Sequence, residues 1–361
     1  MSFSGSYRSG DVDFLLKPLA LCDFVDVPHK EWLIQSGQKH YSEMLTPESL
    51  PSARYLDVFR QACAANIERM AADCMTLAAL IAARRAGPVT LVSLARAGTP
   101  VGVVLRHLLE RALGRAAVHY SVSIIRDRGI DQVALEHILA AGHAPESIVF
   151  IDGWTGKGVI SRELAATVAS FNASHGTNID GGLYVLSDLA GSAACAASCD
   201  DYLIPSSILN ATVSGLISRS ILNEAIGPGD FHGCVYYQQF EAHDQSQQFA
   251  DDLVARAMAL GQPDAAAVPV DREAAADVSR RYMQQALAEH GIADANMVKP
   301  GIGEATRVLL RRSPRLLIVR DPQARDVAHL LLLAQEKQIP VATDAGLPYY
   351  AVSLIRSALD G

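Results

Sequence analysis

An acid at the end of an apolar run, followed at once by a glycine-rich turn, marks residues 148–160 (Ile-Val-Phe-Ile-Asp-Gly-Trp-Thr-Gly-Lys-Gly-Val-Ile) as the stretch best equipped for chemistry. A buried strand would deliver the Asp152 carboxylate, and the turn would offer backbone N–H groups at the start of a helix, a combination suited to phosphate esters. Two familiar phosphate loops do not fit. A P-loop needs glycine six residues before its lysine and Ser or Thr directly after it, where this chain has Ile151 and Gly158. The dinucleotide fingerprint fails because Gly153, Gly156 and Gly158 are spaced G-x-x-G-x-G. The plain alternative is a tight turn in which glycine supplies positive φ.

Three further strand-like runs end in residues that could handle an anion. Val89 to Leu94 leads into Ala95-Arg96-Ala97-Gly98-Thr99-Pro100, where the Arg96 fork and the amides of Ala97, Gly98 and Thr99 could cradle phosphate oxygens. Pro100 fits a helix start equally well. Ala117 to Ile125 precedes Arg126 and Arg128, which are either a neutralising pair or a solvated turn. Gly182 to Ser187 ends at Asp188, where a doubly wound sheet would receive an acceptor.

In order and type these loops resemble those of the type I phosphoribosyltransferases. The resemblance implies a phosphoribosyl pyrophosphate (PRPP) loop, with Asp152 as the catalytic acid beside the ribose hydroxyls. Gly153, Thr155, Gly156, Lys157 and Gly158 would wrap the 5′-phosphate, and Arg96 to Thr99 with Arg126 and Arg128 would face the pyrophosphate. It further implies PRPP or a related sugar phosphate as partner, and Mg2+ carried mostly by pyrophosphate and water.

With 361 residues, half of them hydrophobic, the chain can bury a large core. A net charge of −8 argues against nucleic-acid binding by the surface at large. The polar start, Met1 to Gly10, has no apolar signal core and no run reaches membrane length, so a cytoplasmic protein with no membrane partner is expected. Cys22, Cys63, Cys74, Cys195, Cys199 and Cys234 show no CxxC spacing. Cys195 and Cys199 would share a helical face, but without a neighbouring histidine no metal site is assigned. His232 and Cys234 would share one face of a strand, which a cysteine nucleophile would require, although small buried cysteines are commoner.

The elements that must position these groups fall into regions. Residues 1–85 read as an N-terminal helical hood with a long helix from Ser52 to Arg85 and a polar cluster at His40 to Glu43. Residues 86–260 alternate strands and helices, as a parallel α/β sheet demands. Residues 261–276 read as a linker, separating a second core at 277–361. There the charge changes sign: Lys299, Arg307, Arg311, Arg312, Arg315 and Arg320 stand against Glu304 alone between Val298 and Arg320, a local footprint for RNA phosphates.

The turn Gly301-Ile302-Gly303-Glu304-Ala305-Thr306-Arg307 resembles the signature of L7Ae and Pelota-type RNA-binding domains. That resemblance implies a small α/β sandwich that meets RNA through Gly301, Gly303, Glu304, Arg307 and Arg311. As a whole the chain resembles bacterial phosphoribosyltransferase-like proteins with a C-terminal Pelota-type domain, associated with tellurite resistance and stress, some of which carry the label cysteine protease StiP. The expectation is a PRPP-binding glycosyltransferase making a nucleoside-like product, with RNA as a second partner and a homo-oligomer as an option. The alternatives are a cysteine protease of the StiP type and a non-catalytic nucleotide-sensing RNA-binding module.

Overall fold

The computed structural model describes residues 3–20, 25–261 and 271–356. In chain order the strands are β1 (Asp13–Leu15), β2 (Lys17–Pro18), β3 (Val89–Ala95), β4 (Ala117–Ile125), β5 (Gly129–Ile130), β6 (Ile148–Thr155), β7 (Leu183–Asp188), β8 (Cys195–Ser198), β9 (Gly233–Cys234), β10 (Val298–Pro300), β11 (Pro314–Val319), β12 (Val341–Thr343) and β13 (Ala351–Ile355). The helices are α1 (Val27–Gln35), α2 (Ala53–Arg84), α3 (Thr99–Arg111), α4 (Gln132–Ala140), α5 (Val159–His175), α6 (Ser246–Leu260), α7 (Arg272–Glu289), α8 (Ile302–Arg311) and α9 (Ala328–Glu336).

Strands buried on both faces read as continuous apolar runs, and β3, β6 and β7 are buried almost throughout. They lie in the order β1-β4-β3-β6-β7-β8, every neighbouring pair parallel, with the short β5 antiparallel to β4. Side-chain alternation sends Leu91, Val149 and Ile151 into one core with α2, α3 and α6, and Val92, Leu94 and Phe150 into another with α4 and α5. The sequence-expected long helix is α2, opened by Ser52, whose Oγ accepts the Tyr55 N–H at 3.2 Å.

The C-terminal unit has its own sheet, ordered β10-β13-β11-β12, with only the β11–β12 pair parallel. Helix α7 supplies Tyr282 and Ala286 to a small core on one side of it, while α8 and α9 bury Ile302, Leu309 and Leu330 on the other.

Three expectations change. The region expected as a helical hood also supplies β1 to the main sheet, because Phe14 and Leu15 alternate between its two cores. Cys195 opens a strand rather than sharing a helical face with Cys199. The two cores are not separated: one apolar cluster runs from α2 and α3 through Leu209 to Ile302, Leu309 and Leu333. Of the expected linker, residues 262–270 lie outside the described residues, and α7 begins at Arg272. A mixed α/β architecture with a parallel sheet is present, and strand order alone does not single out the transferase type of that architecture.

Candidate functional site

At the carboxyl ends of the parallel strands, where α/β sheets hold ligands, a cavity of about 300 Å³ opens between the β6–α5 turn and helix α8. Four of its basic side chains, Lys30, Arg126, Lys157 and Arg219, come from the first 260 residues. Another four, Lys299, Arg307, Arg311 and Arg312, come from the C-terminal unit, and only Asp152 and Glu304 oppose them. Such an excess of one sign in a walled cleft concentrates anions.

The two carboxylates respond oppositely. Burial pushes the Asp152 carboxyl up to about 6, against the pull of Arg307 and its own bond from the Gly153 N–H at 2.8 Å. Burial would also raise Glu304, but Arg307, Lys299 and Lys157 outweigh it and hold that carboxyl below its usual range. Arg307 donates to Glu304 at 2.8 Å and lies 4.3 Å from the Trp154 ring centre. Lys157 is pushed down to about 7 by burial and then by Lys299. Its ammonium donates to the Ala295 carbonyl.

Two glycine turns open the helices that border the cavity. Gly158 adopts φ +69° and opens α5 with no side chain capping its first N–H groups. Gly301 adopts φ +87° and opens α8, but here Asp201, arriving from beyond β8, accepts the Ile302 N–H at 2.9 Å and the Tyr350 N–H at 2.8 Å. Burial raises the Asp201 carboxyl to about 6, against these bonds. One residue into α8, a side chain on Gly303 would collide with Trp154, its Cβ falling 2.4 Å from the ring.

Asp152, Thr155, Gly156, Lys157, Gly158, Arg126, Glu304, Arg307 and Arg311 all line this cavity. Thr155 is engaged from its buried side: its Oγ1 donates to Asp188 at 2.5 Å and accepts the Ala190 N–H. Asp188, expected at an acceptor site, is fully buried and ties down the Ser192 and Ala193 amides. Arg96 and Ala97 line an adjoining cavity, and the Arg96 guanidinium is paired with Glu48 at 2.5 Å and with the Ile217 carbonyl. Gly98 packs against the β6 backbone, which leaves no room for a Cβ beside the Ile151 carbonyl, and Thr99 is buried against Ser121. Gly153 is not among the lining residues, and its N–H is turned to Asp152. Arg128 stands half-exposed, 3.7 Å from Glu43. Gly301 and Gly303 are packed against Leu189 and Trp154, so the expected RNA-facing turn points into the molecule. Arg311, expected to face RNA, donates to Asn210 Oδ1 at 2.6 and 3.0 Å.

Sequence reasoning missed Asp201, Trp154 and Arg219, and placed Tyr41 only within a polar cluster at His40 to Glu43 that could line a pocket. Tyr41 accepts the Arg126 N–H at 2.8 Å, and the Arg126 and Arg219 guanidinia lie 5.4 and 5.5 Å from its ring centre. Asp201 had no signal, since it carries no motif of its own.

The family model described as tellurite-like stress resistance cysteine protease StiP matches residues 5–254. The protein named cysteine protease StiP from Acinetobacter baylyi (strain ATCC 33305 / BD413 / ADP1) is 43% identical over 367 residues, covering 98% of this chain and 94% of its own length. The chain belongs to the StiP family. A second model, of the PELOTA RNA binding domain, matches residues 277–357, which bears out the Pelota-type expectation for the C-terminal unit. The glycosyltransferase expectation is overturned: the StiP match and the relative are both named for a cysteine protease.

The StiP name turns attention to the cysteines. Burial raises every described thiol, those of Cys63, Cys199 and Cys234 to about 12; Cys22 lies outside the described residues. Cys234 in β9 is fully buried. Nearby, His232 Nδ1 meets Ser123 Oγ at 2.7 Å, and its backbone N–H donates to Asp131 Oδ2 at 2.6 Å. Burial lowers His232, opposed by Asp131, and raises Asp131, opposed by His232. Among the described residues no hydrogen bond joins Cys234 to an imidazole, and no three His, Cys, Asp or Glu side chains converge as metal ligands. No described helix is long and apolar enough to cross a membrane.

Proposed function

We propose that this StiP-family chain is a cysteine peptidase that serves tellurite-like stress resistance and binds RNA through its C-terminal unit. The observation that carries this reading is the 43% identity, over 98% of the chain, to a protein named cysteine protease StiP. Among the described cysteines, Cys234 is the best nucleophile candidate because His232 lies two residues away, its backbone N–H held by Asp131. In the described arrangement the thiol is covered and strongly protonated, so the reading requires a rearrangement that frees the imidazole from Ser123 and lets it take the thiol proton.

Hydrolysis of a labelled casein by the full chain tests this. Activity should be abolished in Cys234→Ala and retained in Cys199→Ala, while iodoacetamide at neutral pH should modify Cys234 slowly in the resting protein. Full activity in Cys234→Ala would move the nucleophile elsewhere, and a wild-type chain that hydrolyses nothing would remove the peptidase reading.

A second reading is an RNA-binding stress protein without proteolysis. It is favoured by the raised thiols together with the cationic cavity that the two matched regions build jointly. RNA binding without casein hydrolysis would select it.

A further inference from the structure

Four basic residues of the region matched as an RNA-binding domain, Lys299, Arg307, Arg311 and Arg312, converge on the cavity at its seam with the StiP region. Such a cluster draws RNA phosphates towards the seam. A cavity of about 300 Å³ admits a group of small-molecule size and cannot accept a duplex. Its walls offer what a single nucleotide uses: cations for phosphate, a helix start with uncapped N–H groups at Val159, and the planar Arg307 guanidinium, backed by the buried Trp154 ring. The mouth is spanned by two contacts between the units, from the half-buried Lys157 to the exposed Ala295 carbonyl and from the half-buried Arg126 to the exposed Asn296 at 3.4 Å.

We propose that the seam receives the terminal nucleotide of a single-stranded RNA, its phosphates bridging Lys157 of the StiP region and Lys299 of the C-terminal unit. The site rests on the RNA-binding reading of that unit and goes beyond it, because it makes the StiP region half of the RNA site and makes a free strand end the recognised feature. An entering strand replaces the two contacts across the mouth with phosphate contacts, so the units stay joined through the ligand. A neutral protein surface elsewhere is not needed for this recognition, since the attraction is local.

Fluorescence anisotropy with the full chain tests the assignment, using one short RNA sequence in three forms: linear and 5′-phosphorylated, covalently circular, and annealed to its complement. The linear strand should bind at least about tenfold more tightly than the circle or the duplex, and Lys157→Met and Lys299→Met should each weaken it by about tenfold at fixed salt. Lys157 is at the mouth, so its variant tests the site even if the more enclosed Lys299→Met does not fold. Equal affinity for circle and linear strand would overturn the end-recognition proposal while leaving RNA binding intact. Adenosine monophosphate competing as tightly as the linear strand would also overturn it, in favour of a free nucleotide. Failure of every RNA form to bind would instead overturn the RNA-binding reading on which the site rests.

Discussion

The β6–α5 turn and the β10–α8 turn open the two helices that border the cavity and are built alike: a strand, a glycine at positive φ, and a helix whose N-cap residue offers no side chain. They differ in what meets the exposed N–H groups. Asp201 occupies the start of α8 with a carboxylate, while the start of α5 opens towards a cavity rich in cations. The same local solution thus serves docking on one side and leaves a ligand position on the other. The choice is made by a residue a hundred positions away in the chain, because helix starts accept any well-placed anion, whether side chain or ligand.

The largest expected effect comes from emptying the occupied turn. Asp201→Ala leaves the Ile302 and Tyr350 N–H groups without their buried acceptor, at a cost of about 3 kcal/mol. Urea unfolding of the full chain should show it, most clearly in probes of the C-terminal unit. A variant as stable as the wild type would mean that the two turns do not differ in the way described, and that the continuous apolar cluster alone holds the units together.

Next in size is the contact that aligns the two turns. A methyl group at Gly303 has no room against Trp154, so Gly303→Ala should cost about 2 kcal/mol through overpacking. It should also shift Trp154 emission, since Arg307 lies over the same ring. Unchanged stability and emission would show that α8 can slide away from β6 freely, in which case the cavity is not a defined site.

How much of this was legible depends on range. The buried runs at 89–94, 117–125, 148–151 and 182–187 announce β3, β4, β6 and β7 because a parallel strand's apolar pattern is local. Ser52 likewise marks the start of α2. The acid and glycines at 152–158, and the basic stretch after Val298, were visible as chemistry and do meet in one cavity. Their relation was not visible. Nothing near Gly303 encodes Trp154, and nothing near Arg311 encodes Asn210. The turn resembling an RNA-contacting signature therefore carried no sign that its glycines pack against Leu189 and Trp154 or that Arg311 is held by Asn210. Strand β1 was missed because three residues are too short to show a period. The transferase expectation erred at another level: a strand, an acid and a glycine turn describe how to hold an anion, and that geometry alone does not name a reaction.

The smallest predicted effect concerns the open turn and follows from Lys157. Burial lowers its ammonium to about 7, with Lys299 and Arg126 adding to the shift and Glu304 and Asp294 opposing it. The positive charge is thus present below that value and lost above it, so affinity for single-stranded RNA should fall as pH rises from about 6 to about 8, by up to about tenfold for one charge. Stability has the opposite sign. A depressed folded-state value contributes stability that is present above the unfolded value, near 10.5, and lost as pH falls through about 7. Acidification should therefore loosen the free protein while tightening its grip on the anion. Lys157→Met should flatten both dependences while leaving Asp201 and the closed turn untouched. Anisotropy titrations at constant ionic strength, paired with urea midpoints at the same two pH values, measure the two signs separately. If the variant keeps the wild-type slope in binding, the titrating charge lies elsewhere, and the open turn has no greater part in anion binding than the capped one.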